Sequence, residues 1–93
     1  MMIKAILIDD EDFIREDVRE KITEYFPTEI AIVAEASNVA DGVAAVNKFE
    51  PALLLLDINM EDGTGFDLIQ QCDYKDFDVI FITGFDNHAI KAI

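Results

Sequence analysis

Short apolar runs alternate along the chain with longer stretches in which apolar residues return at helical spacing, the pattern of βαβ units on a parallel sheet. Ile3 to Ile8 is the first run. Ile14, Val18 and Ile22 then recur every fourth residue, with Phe13, Tyr25 and Phe26 widening the stripe. This predicts an amphipathic helix from Asp12 to Tyr25, which Pro27 helps to end. Ile30 to Ala34 reads as a second strand. Val39, Val43 and Val46 mark a second helix closing near Phe49, before Pro51, weakened at Gly42 by about 1 kcal/mol relative to alanine. Ala52 to Leu56 holds four consecutive leucines and no polar residue, as a central parallel strand covered on both faces requires, and Asp57 ends it. Beyond a loop containing Gly63 and Gly65, Phe66 to Cys72 gives a short third helix. Val79 to Ile82 is a fourth strand, ending at Thr83, and Asn87 to Ile93 reads as a helical stub. Right-handed crossovers wind this string into an open α/β sheet with helices on both faces.

Composition narrows the class. Ninety-three residues, 52% of them hydrophobic, suit one domain spanning residues 1–93 and built on one core. Twenty acids against seven bases give a formal net charge of −13, which repels phosphate backbones and anionic lipid, so this segment is expected to bind neither nucleic acid nor membrane. Cys72 is the single cysteine and has no internal disulfide partner. The opening Met-Met-Ile-Lys leads into a strand rather than a signal peptide, and no apolar run approaches the roughly 20 residues that span a bilayer. These features together predict a cytoplasmic location.

The candidate chemistry lies where the polar residues fall. In an open parallel sheet the ligand crevice sits at the carboxyl ends of the strands. Asp9 and Asp10 follow the first strand, Asp57 the third and Thr83 the fourth. If the first and third strands are neighbours, three carboxylates converge. Two unit charges about 4 Å apart repel by about 4 kcal/mol at an effective dielectric near 20, so such a cluster requires a cation or a shared proton. Hard oxygen ligands select Mg²⁺ or Ca²⁺ over softer metals. Taken singly, Asp9 to Asp12 also read as a solvated turn with a helix N-cap, and Thr83 as a turn former.

Leu-Ile-Asp-Asp-Glu at 7–11, Leu-Leu-Asp-Ile-Asn-Met at 55–60, Gly65 and Ile-Thr at 82–83 stand in an order and spacing that resembles the receiver domain of two-component response regulators. That resemblance covers the whole chain. It implies a flavodoxin-like, doubly wound parallel sheet, with four strands in the order 2-1-3-4 and a fifth βα unit lacking after Ile93. It further implies that Asp57 accepts a phosphoryl group from a sensor histidine kinase and that Asp10 binds Mg²⁺ directly. Asp9 would assist through water or hydrogen bonds, and the Asn59 backbone carbonyl would complete the metal ligands. Thr83 would bond a phosphoryl oxygen and act as the switch. Residues Thr-Gly-Phe-Asp-Asn-His-Ala-Ile-Lys-Ala at 83–92 resemble, more narrowly, receivers attached to LytTR-type DNA-binding output domains.

Three departures qualify the likeness. Glu61 stands where the receiver pattern has proline, adding a fourth acid near the crevice. The phosphate-contacting lysine and the switch aromatic of the family have no match here, and Lys91 lies too close to Thr83 in sequence to take the lysine's role. Two other functions remain open: a non-phosphorylated interaction module, and a phosphatase of the aspartate-nucleophile class. The latter uses Asp-x-Asp, whereas this chain has Asp57-Ile58-Asn59. As a receiver the chain is an acceptor and not an enzyme that turns over substrate. Without a fifth strand, Val79 to Ile82 would be an open edge with neither lysine nor proline, which predicts a homodimer or larger assembly through that edge.

Overall fold

Apolar runs that lack polar residues suit strands covered on both faces of a sheet, and the four leucines at 53–56 become a central strand buried along its length. The structure, a computed structural model, describes residues 2–82 and the backbone of residues 90–92. Strand β1 (Ile3–Ile8) is followed by helix α1 (Asp12–Tyr25), strand β2 (Ile30–Ala36), helix α2 (Val39–Phe49) and strand β3 (Leu53–Asp57). A small hairpin, β4 (Asn59–Met60) and β5 (Gly63–Thr64), then leads into α3 (Gly65–Gln71), β6 (Asp78–Ile82) and β7 (Ile90–Ala92). The main sheet has the order β2-β1-β3-β6-β7. Its first four members are parallel, so the doubly wound, flavodoxin-like α/β order expected from the sequence is present.

Alternation along the central strands sorts their side chains between two apolar layers. Ile6, Ile8, Leu54, Leu56 and Phe81 pack with Val39, Val46, Leu68 and Cys72 on the α2 and α3 side. Ala5, Leu7, Leu53, Leu55 and Ile82 pack with Ile14, Val18 and Ile22 of α1 on the other. The apolar stripe of α1 is narrower than its sequence suggests. Phe13, Tyr25 and Phe26 stay exposed, because the i, i+4 row of Ile14, Val18 and Ile22 already covers the sheet.

Two elements differ from the sequence reading. The segment after Asp57 forms the two-stranded β4–β5 hairpin, pairing Asn59 with Thr64 and Met60 with Gly63. The helical stub expected at Asn87 to Ile93 is replaced, over Ile90–Ala92, by a strand running antiparallel to β6. The physical reason is the edge itself. A helix there would leave the outer amides and carbonyls of β6 unpaired, whereas a strand satisfies them. Ile80, Phe81 and Ile82 pair with Ala92, Lys91 and Ile90, so the open fourth-strand edge on which the homodimer expectation rested is covered along those three residues.

Candidate functional site

The register of the sheet brings the acids together. Ile8 is paired with Leu56, so the residues that follow, Asp9 and Asp57, stand side by side at the carboxyl end of the sheet. A carboxylate oxygen from each of Asp9, Asp10 and Asp57 lies within 4.8 Å of the others. Asp9 is 1% exposed, while Asp10 and Asp57 are half-buried. Glu11, the residue preceding α1, makes no side-chain capping bond, so the acids around it are not explained as a helix cap. Instead the Glu11 amide donates to Asp9 Oδ1 at 2.8 Å, turning that side chain inward. Arg15, one turn into α1, donates to the Asp9 carbonyl and also pairs with Asp12 and Glu35.

Burial and crowding shift Asp9 and Asp57 in one direction. Desolvation, followed by the neighbouring Asp9 charge, pushes the Asp57 carboxyl up to about 7. Its contacts with the Asn59 amide and with Asp10 act in opposite senses, the first favouring the charged form and the second the neutral one. Asp9 is likewise raised, chiefly by burial, with the Glu11 amide opposing. Its Oδ2 is buried and finds no hydrogen-bond partner among the described residues. A buried carboxylate with one orphaned oxygen, gathered with two more carboxyl groups, fits a small, hard divalent cation, which would satisfy the oxygen and offset the repulsion together. The donor set is all oxygen, as Mg²⁺ prefers.

The loop that leaves Asp57 is held closely. The Asn59 amide lies 3.4 Å from Asp57 Oδ1, and the Gly65 amide donates to the Ile58 carbonyl at 2.8 Å. A Cβ at Gly65 would meet the Asp57 carbonyl oxygen at 2.6 Å, which explains why this position has no side chain. Thr64 and Asp67 form a reciprocal capping box that starts α3 immediately beyond the hairpin. At the hairpin tip, Asp62 accepts from the amides of Val39 at 2.8 Å and Ala40 at 3.1 Å, across 23 and 22 residues of sequence. The Val39 amide, with help from Ala40, holds its carboxyl below the usual carboxylate range despite some desolvation.

Asp9, Asp10 and Asp57 are therefore gathered, and Asn59 stands on the adjoining hairpin with its side chain exposed. Thr83 lies outside the described residues, although its predecessor Ile82 is paired with Asp57. Asp62 was not singled out by sequence reasoning. Its partners are far away in the chain, and no local motif announces a cap supplied to another helix.

This arrangement has close parallels among known proteins. A model of the response regulator receiver domain matches residues 5–93. The transcriptional regulatory protein BtsR of Escherichia coli (strain K12) is 39% identical over 93 residues, covering 98% of this chain and 38% of that protein. An uncharacterized response regulatory protein of Vibrio cholerae serotype O1 is 35% identical over 92 residues, with the same two shares. The chain thus spans less than two-fifths of the length of these relatives. Among solved structures, the REC domain of AraT, a response regulator from Geobacillus stearothermophilus, superposes with a TM-score of 0.80 at 28% identity, over 92% of this chain and 67% of that one. The response regulator domain of Thermotoga maritima CheB shares the fold, with a TM-score of 0.77 at 20% identity over 96% of this chain and 67% of that one. No helix among the described residues is long and apolar enough to cross a membrane. With its sheet order, its acidic crevice and a family match running to the last residue, the chain belongs to the response regulator receiver domain family.

Proposed function

We propose that this receiver accepts a phosphoryl group on Asp57 from the phosphohistidine of a sensor histidine kinase and thereby switches an output. The observation that carries this reading is the convergence of Asp9, Asp10 and Asp57 at the carboxyl end of the two central strands. Family membership supports it. The transferred group passes from nitrogen to oxygen: an Asp57 carboxylate oxygen attacks phosphorus, the O–P bond forms as the P–N bond breaks, and the electron pair leaves with the imidazole, which takes up a proton. Such transfer asks little covalent chemistry of the protein, so positioning and charge neutralisation carry the catalysis. When bound, Mg²⁺ would neutralise phosphoryl oxygens and hold the carboxyls in their charged form, with Asp10, Asp57 and the Asn59 carbonyl as its direct ligands and Asp9 assisting through water or a hydrogen bond. Asp9 and Asp10 keep the crevice negative enough to require that cation. The Asn59 amide orients one Asp57 oxygen. Thr83 is assigned the contact to a phosphoryl oxygen and, through it, the role of switch.

The chain acts as an acceptor rather than as an enzyme with turnover. Relatives named as transcriptional regulatory proteins support a DNA-binding output domain as the element this receiver controls, and with it a cytoplasmic setting. The direct experiment incubates the protein with acetyl phosphate and Mg²⁺ and follows intact mass. We expect a gain of one phosphoryl group, absent without Mg²⁺ and absent from Asp57→Asn. Modification of Asp57→Asn at the wild-type rate would remove Asp57 from this role.

A further inference from the structure

We propose that Asp62 is a positioning residue for the acceptor: by clamping the tip of the β4–β5 hairpin onto the first turn of α2, it fixes the Asn59 amide against the Asp57 carboxylate. This rests on the reading of Asp57 as phosphoacceptor and extends it to a residue that touches neither phosphoryl group nor metal. The chain of contacts is short and continuous. Asp62 Oδ1 and Oδ2 accept from the Val39 and Ala40 amides at 2.8 and 3.1 Å, across the gap between hairpin and helix. From the tip, the pairs Met60 with Gly63 and Asn59 with Thr64 run back to the site. The Asn59 amide then meets Asp57 Oδ1 at 3.4 Å.

Packing gives the same answer independently. Gly63 has φ of 150°, and a Cβ placed there would meet Val39 Cγ2 at 3.4 Å and Asp67 Oδ2 at 3.1 Å, so the hairpin lies flush against the start of α2. A two-residue-per-strand hairpin is too short to hold its own geometry, and needs anchors outside itself. The Thr64 capping box supplies one, through α3; Asp62 supplies the other, through α2. The α2 terminus does not depend on Asp62 for a cap of its own, because Asn38 already accepts from the Asp41 amide at 2.8 Å. Asp62 adds the link between helix and hairpin, which a local cap would not.

The presence of two acceptors at one helix start makes the test discriminating. Asn38→Ala and Asp62→Ala each strip acceptors from the first turn of α2 and should lower the melting temperature to a comparable degree. Only Asp62→Ala should shift the Asn59 and Asp57 amide resonances, weaken Mg²⁺ binding in a calorimetric titration, and slow acetyl phosphate labelling of Asp57. A slowing on the order of tenfold is expected, part of the roughly 10²-fold that a 1 Å misplacement can bring about. Asp62→Asn, which retains an oxygen for the Val39 amide, should recover part of the loss and carries the comparison if the alanine variant does not fold. Equal slowing in Asn38→Ala and Asp62→Ala, or an unmoved Asn59 amide in Asp62→Ala, would overturn the proposal. If the wild-type protein takes no phosphoryl group, the reading of Asp57 fails, and the Asn59 amide comparison alone still decides whether Asp62 positions the hairpin.

Discussion

Replacing Asp57 with asparagine should stabilise the metal-free protein, and should do so only at the pH where Asp57 is charged. The carboxyl is raised from 3.8 to about 7 in the folded chain, first by desolvation and then by Asp9. A folded value above the unfolded one means that the native state holds the proton more tightly. Its contribution to stability is therefore complete below pH 3.8 and is lost as pH rises through about 7. A displacement of about three pH units corresponds to ~4 kcal/mol at 1.36 kcal/mol per unit. Asp57 is only half-buried, and solvent screening reduces this to ~2 kcal/mol. The amide side chain keeps an oxygen for the Asn59 amide while removing the charge. In a domain of this size ~2 kcal/mol is a rise of roughly 10 °C in melting temperature. Thermal melts in EDTA at pH 4 and pH 8 are the assay. We expect Asp57→Asn to melt well above wild type at pH 8 and within a degree or two of it at pH 4. No gain at pH 8, or an equal gain at both pH values, would refute the electrostatic reasoning.

Three further outcomes follow from the same geometry. Mg²⁺ at one hundred times its dissociation constant should stabilise the wild type by about 2.7 kcal/mol, and Asp10→Ala should abolish the rise seen in a melting titration; an equal rise in both proteins would exclude the acidic crevice as the site. Gly65→Ala forces a Cβ to within 2.6 Å of the Asp57 carbonyl, which should destabilise the fold by about 1–3 kcal/mol and slow labelling of Asp57; a variant with unchanged denaturant midpoint would show that the loop has slack there. Removing residues 88–93 uncovers Ile80, Phe81 and Ile82 along the edge that β7 pairs, and should promote self-association that strengthens as salt screens the −13 charge. Sedimentation of a clean monomer in high salt would show that this edge is not adhesive.

How much of this could be read from the chain depends on how local the cause is. The leucines at 53–56 lie in the middle of the sheet because four consecutive apolar residues tolerate no exposed face. Ile14, Val18 and Ile22 fix the inner face of α1 by spacing alone. Asp9 and Asp57 were legible as strand ends, and strand order then made them neighbours. The hairpin at Asn59–Met60 and Gly63–Thr64 was not legible, since two-residue strands are too short to show a period. Ile90 to Ala92 defeated the local reading for another reason. Its spacing suits a helix or a strand, and the unpaired edge of β6 decides between them. Asp62 is the clearest case, because a capping carboxylate 23 residues from the amide it serves leaves no signature near either.

Phosphotransfer to this receiver turns on the identity of the residue that takes the phosphoryl group. Protein labelled with acetyl phosphate and Mg²⁺ can be treated with borohydride, which reduces an aspartyl phosphate to homoserine, and the peptides read by mass spectrometry. Conversion is expected at Asp57 alone, with Asp9, Asp10 and Asp62 untouched. Conversion at any of those three with Asp57 intact, or none at all in protein that has gained a phosphoryl group, would contradict it.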